Sequence, residues 1–346
     1  MLILLLIGIG LACAAVWYAA GALRPMPAGE GTEVTIAPGT SPRQIAAQLK
    51  QAHIIKNDFI FIAYLKYKQE GSRFQAGTYS FAPGETIDGL IDRLNRGDVV
   101  KEEMVRFTIP EGWTVDQIAA KLSEQGLAEK ETFLALAADP ARLDSKAAAA
   151  IPADSQIKRR LEGYLFPETY ELKKGSTEQE FLERMLQETD LRLASLPAGW
   201  EDKLQAAGYS VHQMLTIASL VEREVVVDEE RPVVAGVIWN RLAQKMPLQI
   251  DATVQYALGE QKERLLYADL EVASPYNTYK ITGLPPGPIA SPSLKSIEAA
   301  IFPAETRYLF YVTKKDGTKG HLFAETYEQH QANIAESNRM NKQSNP

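Results

Sequence analysis

IPEGWTVDQIAAKL, residues 109–122, runs from an apolar start through Gly112 to Ile118 and Leu122. Ile118 and Leu122 are four apart, so they share one helix face. Thr114 stands where a helix N-cap needs a hydroxyl. The segment reads as strand, tight turn and short helix. Two upstream segments repeat it, IAPGTSPRQIAAQL at 36–49 and FAPGETIDGLIDRL at 81–94. There Gly39 and Gly84 hold the turn, Thr40 and Thr86 the cap, and Ile45 with Leu49 and Leu90 with Leu94 the apolar pairs. Between the first two, NDFIFIAYLKYK at 57–68 reads as a helix packing aromatic and aliphatic groups. This predicts an α+β fold, a small α/β module followed by a mixed helical domain with short β-strands. A purely structural reuse of the repeat and a glycan-holding role both fit it.

Toward the amino end, Leu2 to Leu23 contains no charged side chain. At 1.5 Å per residue it reaches about 33 Å, against roughly 30 Å of bilayer hydrocarbon. Trp17 and Tyr18 suit an interface. The expectation is a transmembrane anchor over residues 1–23, with a cleaved signal peptide as its rival. Residues 24–33, RPMPAGEGTE, read as a tether.

The chain of 346 residues is long enough for about two domains. Its net charge of -7 argues against a general nucleic-acid binder, which needs a dense cationic face. With Cys13 as the lone cysteine, there is no intramolecular disulfide and no cysteine-based zinc site. His321 and His330 are isolated, and HExxH, GxSxG and P-loop patterns are missing. The sequence therefore calls for no metal and no cofactor.

The most chemical segment is HQMLTIASLVEREV, residues 212–225. Met214, Ile217, Ala218 and Val221 recur at helix spacing, and Glu222 and Glu224 end the apolar run. On a regular helix the two glutamates point about 200° apart, so one small site takes only one of them. Periodicity weakly favours Glu222. A helix-end carboxylate paired with Arg223, Arg231 or Arg241 is the competing reading. Beside apolar groups a carboxyl keeps its proton nearer neutral pH and can protonate a leaving group, as glycoside cleavage requires. Downstream, LQIDATVQYALG at 248–259 offers Gln249 and Asp251, the latter also a natural N-cap. The loop SPYNTYKITGLPPGPIASPS at 274–293 offers Asn277 and Tyr279. RYLFYV at 307–312 and the segment holding His321 and Phe323 predict a hairpin, followed by a helix near 326–333.

These blocks resemble the endolytic murein transglycosylase, or YceG-like, family. The resemblance is carried by LEGYLFPETY at 161–170, TIASLVERE at 216–224, NRLAQKMPLQIDATVQYALG at 240–259, YNTYKITGLPPGPIASPS at 276–293 and GHLFAETYEQHQANI at 320–334. It implies a LysM-like and linking module over 34–155 and a catalytic domain over 156–346. It also implies a single-pass anchor in the bacterial cytoplasmic membrane, with the body in the periplasm or outside the membrane. The implied substrate is peptidoglycan glycan strands, with cell-wall synthases as further partners. The implied reaction is cleavage between N-acetylmuramic acid and N-acetylglucosamine by attack of the muramoyl C6 hydroxyl on C1. That leaves 1,6-anhydromuramoyl ends and terminates nascent strands. The family's acid/base glutamate is taken to fall on Glu222, with Gln249, Asp251, Asn277, Tyr279 and His321 as candidates to orient the substrate. One departure is Ile250, where relatives often carry threonine. The rival functions are a membrane-anchored glycan-binding scaffold and a hydrolytic muramidase.

Overall fold

The structure, a computed structural model, describes residues 2–24, 32–82, 84–101 and 103–344. The expected tether at 24–33 lies, apart from its ends, outside the described residues. The chain folds as two compact units, residues 1–102 and 103–346.

In the first unit, strand Thr32–Ile36 pairs antiparallel with Gly77–Phe81, Val34 opposite Tyr79. Helices Pro42–Gln51 and Asp58–Lys68 lie between these strands in sequence, and Ile87–Arg96 follows them. The repeated apolar positions face inward as their spacing requires: Ile45, Leu49, Leu90 and Leu94 join Phe61, Leu65 and Tyr79 in one core. Thr86 caps its helix by accepting from the Gly89 amide. In the first repeat the cap is Ser41, not Thr40. Pro42 at the first helical position sets the helix start one residue later. Thr40 instead closes the preceding turn on the Ala37 carbonyl at 2.7 Å.

Helix Leu2–Ala22 opens this unit. The expected transmembrane anchor and membrane localisation are corrected here: among the described residues, no helix is long and apolar enough to cross a membrane. The end of the charge-free stretch is engaged by protein. Lys56 Nζ donates to the Gly21 carbonyl at 3.3 Å, Asn57 Nδ2 to Tyr18 Oη at 3.5 Å, and Leu23 packs on the first core. The stretch before Tyr18 extends only about 24 Å at 1.5 Å per residue, short of the roughly 30 Å of hydrocarbon.

The second unit carries the third repeat. Strand Met104–Thr108 pairs antiparallel with Thr169–Lys173, and Val115–Glu124 is its helix. Thr114 and Gln117 form a capping box there, each satisfying an amide of the other. At the centre of the unit runs helix Val211–Glu224, with His212 and Met214 through Val221 all buried. It packs against Leu294–Ile301 and Arg231–Ala243. The run is charge-free because it has no solvent-facing side. The predicted hairpin forms from Phe310–Thr313 and His321–Ala324, and the last helix extends over Tyr327–Ser344.

The loop at 286–293 is pinned onto the central helix. His212 Nε2 donates to the Pro286 carbonyl at 2.8 Å, which leaves Nδ1 to accept from Tyr164 Oη at 2.8 Å. Burial lowers the His212 pKa, in keeping with a neutral ring. Ser219 Oγ accepts the Ile289 amide at 3.0 Å. Gly163 closes the clasp: its φ is +78°, and a Cβ there would stand 2.4 Å from Pro288 Cβ. Gly163→Ala is expected to cost about 2–3 kcal/mol through overpacking and left-handed strain, measured by urea unfolding. An unchanged unfolding midpoint would show that the loop yields freely.

Candidate active site

The two glutamates ending the central helix leave in different directions, as the helical angle requires. Glu222 turns to helix Leu294–Ile301. Its Oε2 accepts from Ser293 N at 2.9 Å, Ser293 Oγ at 2.5 Å, Ser296 Oγ at 2.8 Å and Arg231 Nη1 at 3.1 Å. Ser293 is that helix's N-cap, so the carboxylate sits at its positive end. Only 6% of the Glu222 side chain and 7% of the Arg231 side chain is exposed. A carboxylate so enclosed is an anchor joining three helices. This is the arginine-paired alternative read from the sequence.

Glu224 faces a cleft of about 530 Å³, lined also by Arg223, Arg241, Gln249, Asp251, Tyr279 and Tyr311. Tyr311 Oη donates to Glu224 Oε2 at 2.9 Å, and among the described residues Oε1 accepts no hydrogen bond. Burial pushes the Glu224 pKa up to about 7, and the charge of Asp251 adds to the rise. The Tyr311 hydrogen bond and the Arg223 charge oppose it. The carboxyl is thus poised to exchange a proton near neutral pH, with one oxygen fixed by Tyr311 and the other unbonded among the described residues.

The other predicted residues divide. Gln249 and Asp251 line the Glu224 cleft together with Tyr279, whose Oη donates to Asp251 Oδ1 at 2.6 Å. Asp251 is the first residue of helix Asp251–Leu258 rather than its cap. Gln249 adopts a φ of +51°, held by its amide bond to the Thr278 carbonyl. Asn277 is fully buried and structural: its Nδ2 donates to the Leu270 and Val272 carbonyls, each at 2.9 Å. His321 is also buried, with Nδ1 2.6 Å from Glu230 Oε2. It touches the edge of the Tyr311 ring, so it supports the cleft wall from behind. Ile250 is 2% exposed and packed in the core, so its position does not face a substrate.

Sequence reasoning passed over Tyr311 and named Arg241 only as a partner for a helix-end carboxylate. Arg241 donates to the Leu309 and Leu248 carbonyls at 2.6 and 2.8 Å, tying the hairpin to the Gln249 turn. Tyr311 had a signal: it stands on a strand opposite Phe323, in the hairpin that the sequence predicts.

The sequence profile of the YceG-like family matches residues 34–336. The chain belongs to the YceG-like family. A relative in Bacillus subtilis, named endolytic murein transglycosylase, is 37% identical over 322 residues, 90% of this chain and 87% of its own. A Streptococcus pneumoniae protein of the same name is 34% identical, over 92% of this chain and 61% of its own length. The crystal structure of a YceG-like protein from Listeria monocytogenes superposes with a TM-score of 0.58 at 36% identity, covering 88% of this chain and 98% of that one. In this YceG-like chain, the family match takes in both units and both glutamates.

Proposed function

We propose that this protein is an endolytic murein transglycosylase and that Glu224, not Glu222, is its general acid and base. The observation that carries the assignment is the Glu224 carboxyl lining a polar cleft, its pKa raised to about 7, with Oε2 held by Tyr311 and no hydrogen bond to Oε1 among the described residues. Glu224 gives its proton to the glycosidic oxygen as the bond from that oxygen to muramoyl C1 breaks. The muramoyl C6 oxygen then bonds to C1, and its proton passes to Glu224. No water is consumed, and the product carries a 1,6-anhydro ring. Intramolecular attack also reduces the entropic cost of the second step. Asp251, Tyr279 and Gln249 border the reacting bond, and the oxocarbenium-like charge favours a nearby carboxylate.

Incubation with uncrosslinked peptidoglycan followed by mass analysis tests this. Anhydro ends are expected with the native chain and are lost in Glu224→Gln. Ends carrying an added water would replace internal attack by hydrolysis, with Asp251 as the helper.

We also propose that the repeats in the first unit form a LysM-like glycan contact, supported by their strand–turn–helix pattern. A folded fragment of residues 32–101 is expected to be retained on insoluble peptidoglycan. A folded fragment that is not retained would leave the repeats a structural role.

A further inference from the structure

Beside the Glu224 cleft lies a second cavity of about 270 Å³, near the small end of ligand-sized pockets. The two are neighbours: Arg223 lines both, and the adjacent residues Asp251 and Ala252 line one each. Two cations border the second cavity without a carboxylate partner among the described residues. Lys158 Nζ donates to the Tyr256 carbonyl at 2.8 Å, and Arg223 Nη1 to the Gly112 carbonyl at 3.1 Å. The acidic residues in the lining are already engaged. Asp116 takes two bonds from Arg159, at 2.9 and 2.7 Å, and Glu260 pairs with Lys262 at 3.1 Å. The cavity therefore keeps the positive charge of Lys158, beside that of Arg223, which also acts on Glu224.

Its remaining lining favours a peptide over a sugar. Gln117, whose Oε1 is held by the Thr114 amide, keeps its Nε2 as a donor, Gln255, whose Nε2 lies 3.4 Å from the Lys262 carbonyl, keeps its Oε1 as an acceptor, and Gln261 adds a further amide, groups that match a peptide backbone. A sugar would want an open aromatic face, and the one ring present is occupied. Tyr256 has the Lys158 ammonium 5.0 Å from its centroid and the Tyr276 ring at 4.9 Å.

We infer that this cavity is a subsite for the anionic peptide stem carried by the muramic acid residue, with Lys158 and Arg223 receiving a stem carboxylate. The inference rests on the proposed murein substrate. It makes the enzyme a reader of the stem as well as of the glycan, because a stem seated there fixes which bond lies over Glu224.

The test uses the full-length chain and Lys158→Gln, with matched melting temperatures as the folding control and Lys158→Glu as a second variant. Cleavage of peptide-bearing glycan is compared with cleavage of glycan stripped of its stems by an amidase. Lys158→Gln is expected to lower kcat/KM on the peptide-bearing strands about tenfold more than on the stripped ones, through KM, and Lys158→Glu further still. Equal losses on both substrates overturn the subsite. Separately, calorimetry measures binding of a muramoyl dipeptide with a free terminal carboxylate and of its carboxamide form. The free acid is expected to bind about tenfold more tightly, with that preference lost in Lys158→Gln. Should neither glycan be cleaved, the transglycosylase reading fails, while the calorimetry still decides the subsite. Equal affinity for acid and amide overturns it.

Discussion

Glu224→Gln abolishes strand cleavage and, at pH 8, raises the melting temperature. The loss of rate is expected at 10²–10⁴-fold, the usual worth of a positioned acid and base. The gain in stability follows from the same burial. Glu224 has a folded pKa of about 7 against an ordinary value of 4.5. Its favourable contribution is fully present below pH 4.5 and is lost as pH rises through about 7, where the folded state must bury a charge. Glutamine never charges. The variant should therefore gain about 1–3 kcal/mol at pH 8, with the gain vanishing near pH 4.5. In the native enzyme, activity should decline above pH 7 as the acid loses its proton. Calorimetric melting at several pH values, alongside product analysis, checks both halves. Full activity in Glu224→Gln would return the catalytic role to another carboxyl.

Glu222→Ala does the reverse. It removes the acceptor of four hydrogen bonds and leaves the buried Arg231 with Asp228, whose Oδ1 lies 3.0 Å from Nε, as its one carboxylate partner among the described residues, beside the Ser296 hydroxyl at 2.6 Å from Nη1. Breaking a buried pair on one side costs about 3–5 kcal/mol. The partial cover from Asp228 points to the lower end, a fall in melting temperature of roughly 10 °C. Glu222→Gln keeps an acceptor for the serines and should lose less. In both variants, cleavage per folded molecule at low temperature is retained. Loss of cleavage by Glu222→Gln with an unchanged melting temperature would reassign the acid to Glu222 and refute the division of labour drawn from the cleft.

Much of the local structure was legible because it depends on near neighbours. Four-residue spacing placed Ile45, Leu49, Leu90, Leu94, Ile118 and Leu122 inside, and hydroxyls at Thr86 and Thr114 marked helix starts. The hairpin of Phe310–Thr313 and His321–Ala324 followed from two short apolar runs and a turn. The family was readable from ordered blocks of sequence, and the match over residues 34–336 agrees. The membrane span was a misreading: charge-free length by itself suggests one, whereas the Tyr18, Gly21 and Leu23 end is engaged by the first unit.

The 200° between Glu222 and Glu224 was fixed by helix geometry from the sequence alone, so only one of them could serve a given site. Which side holds an anchor and which a cleft depends on groups far along the chain. Ser293 and Ser296 come 71 and 74 residues after Glu222, and Tyr311 comes 87 after Glu224. Local periodicity ranked the two carboxyls only weakly, toward Glu222, because burial and hydrogen-bond partners set their chemistry, and only the packing of the distant segments supplies those.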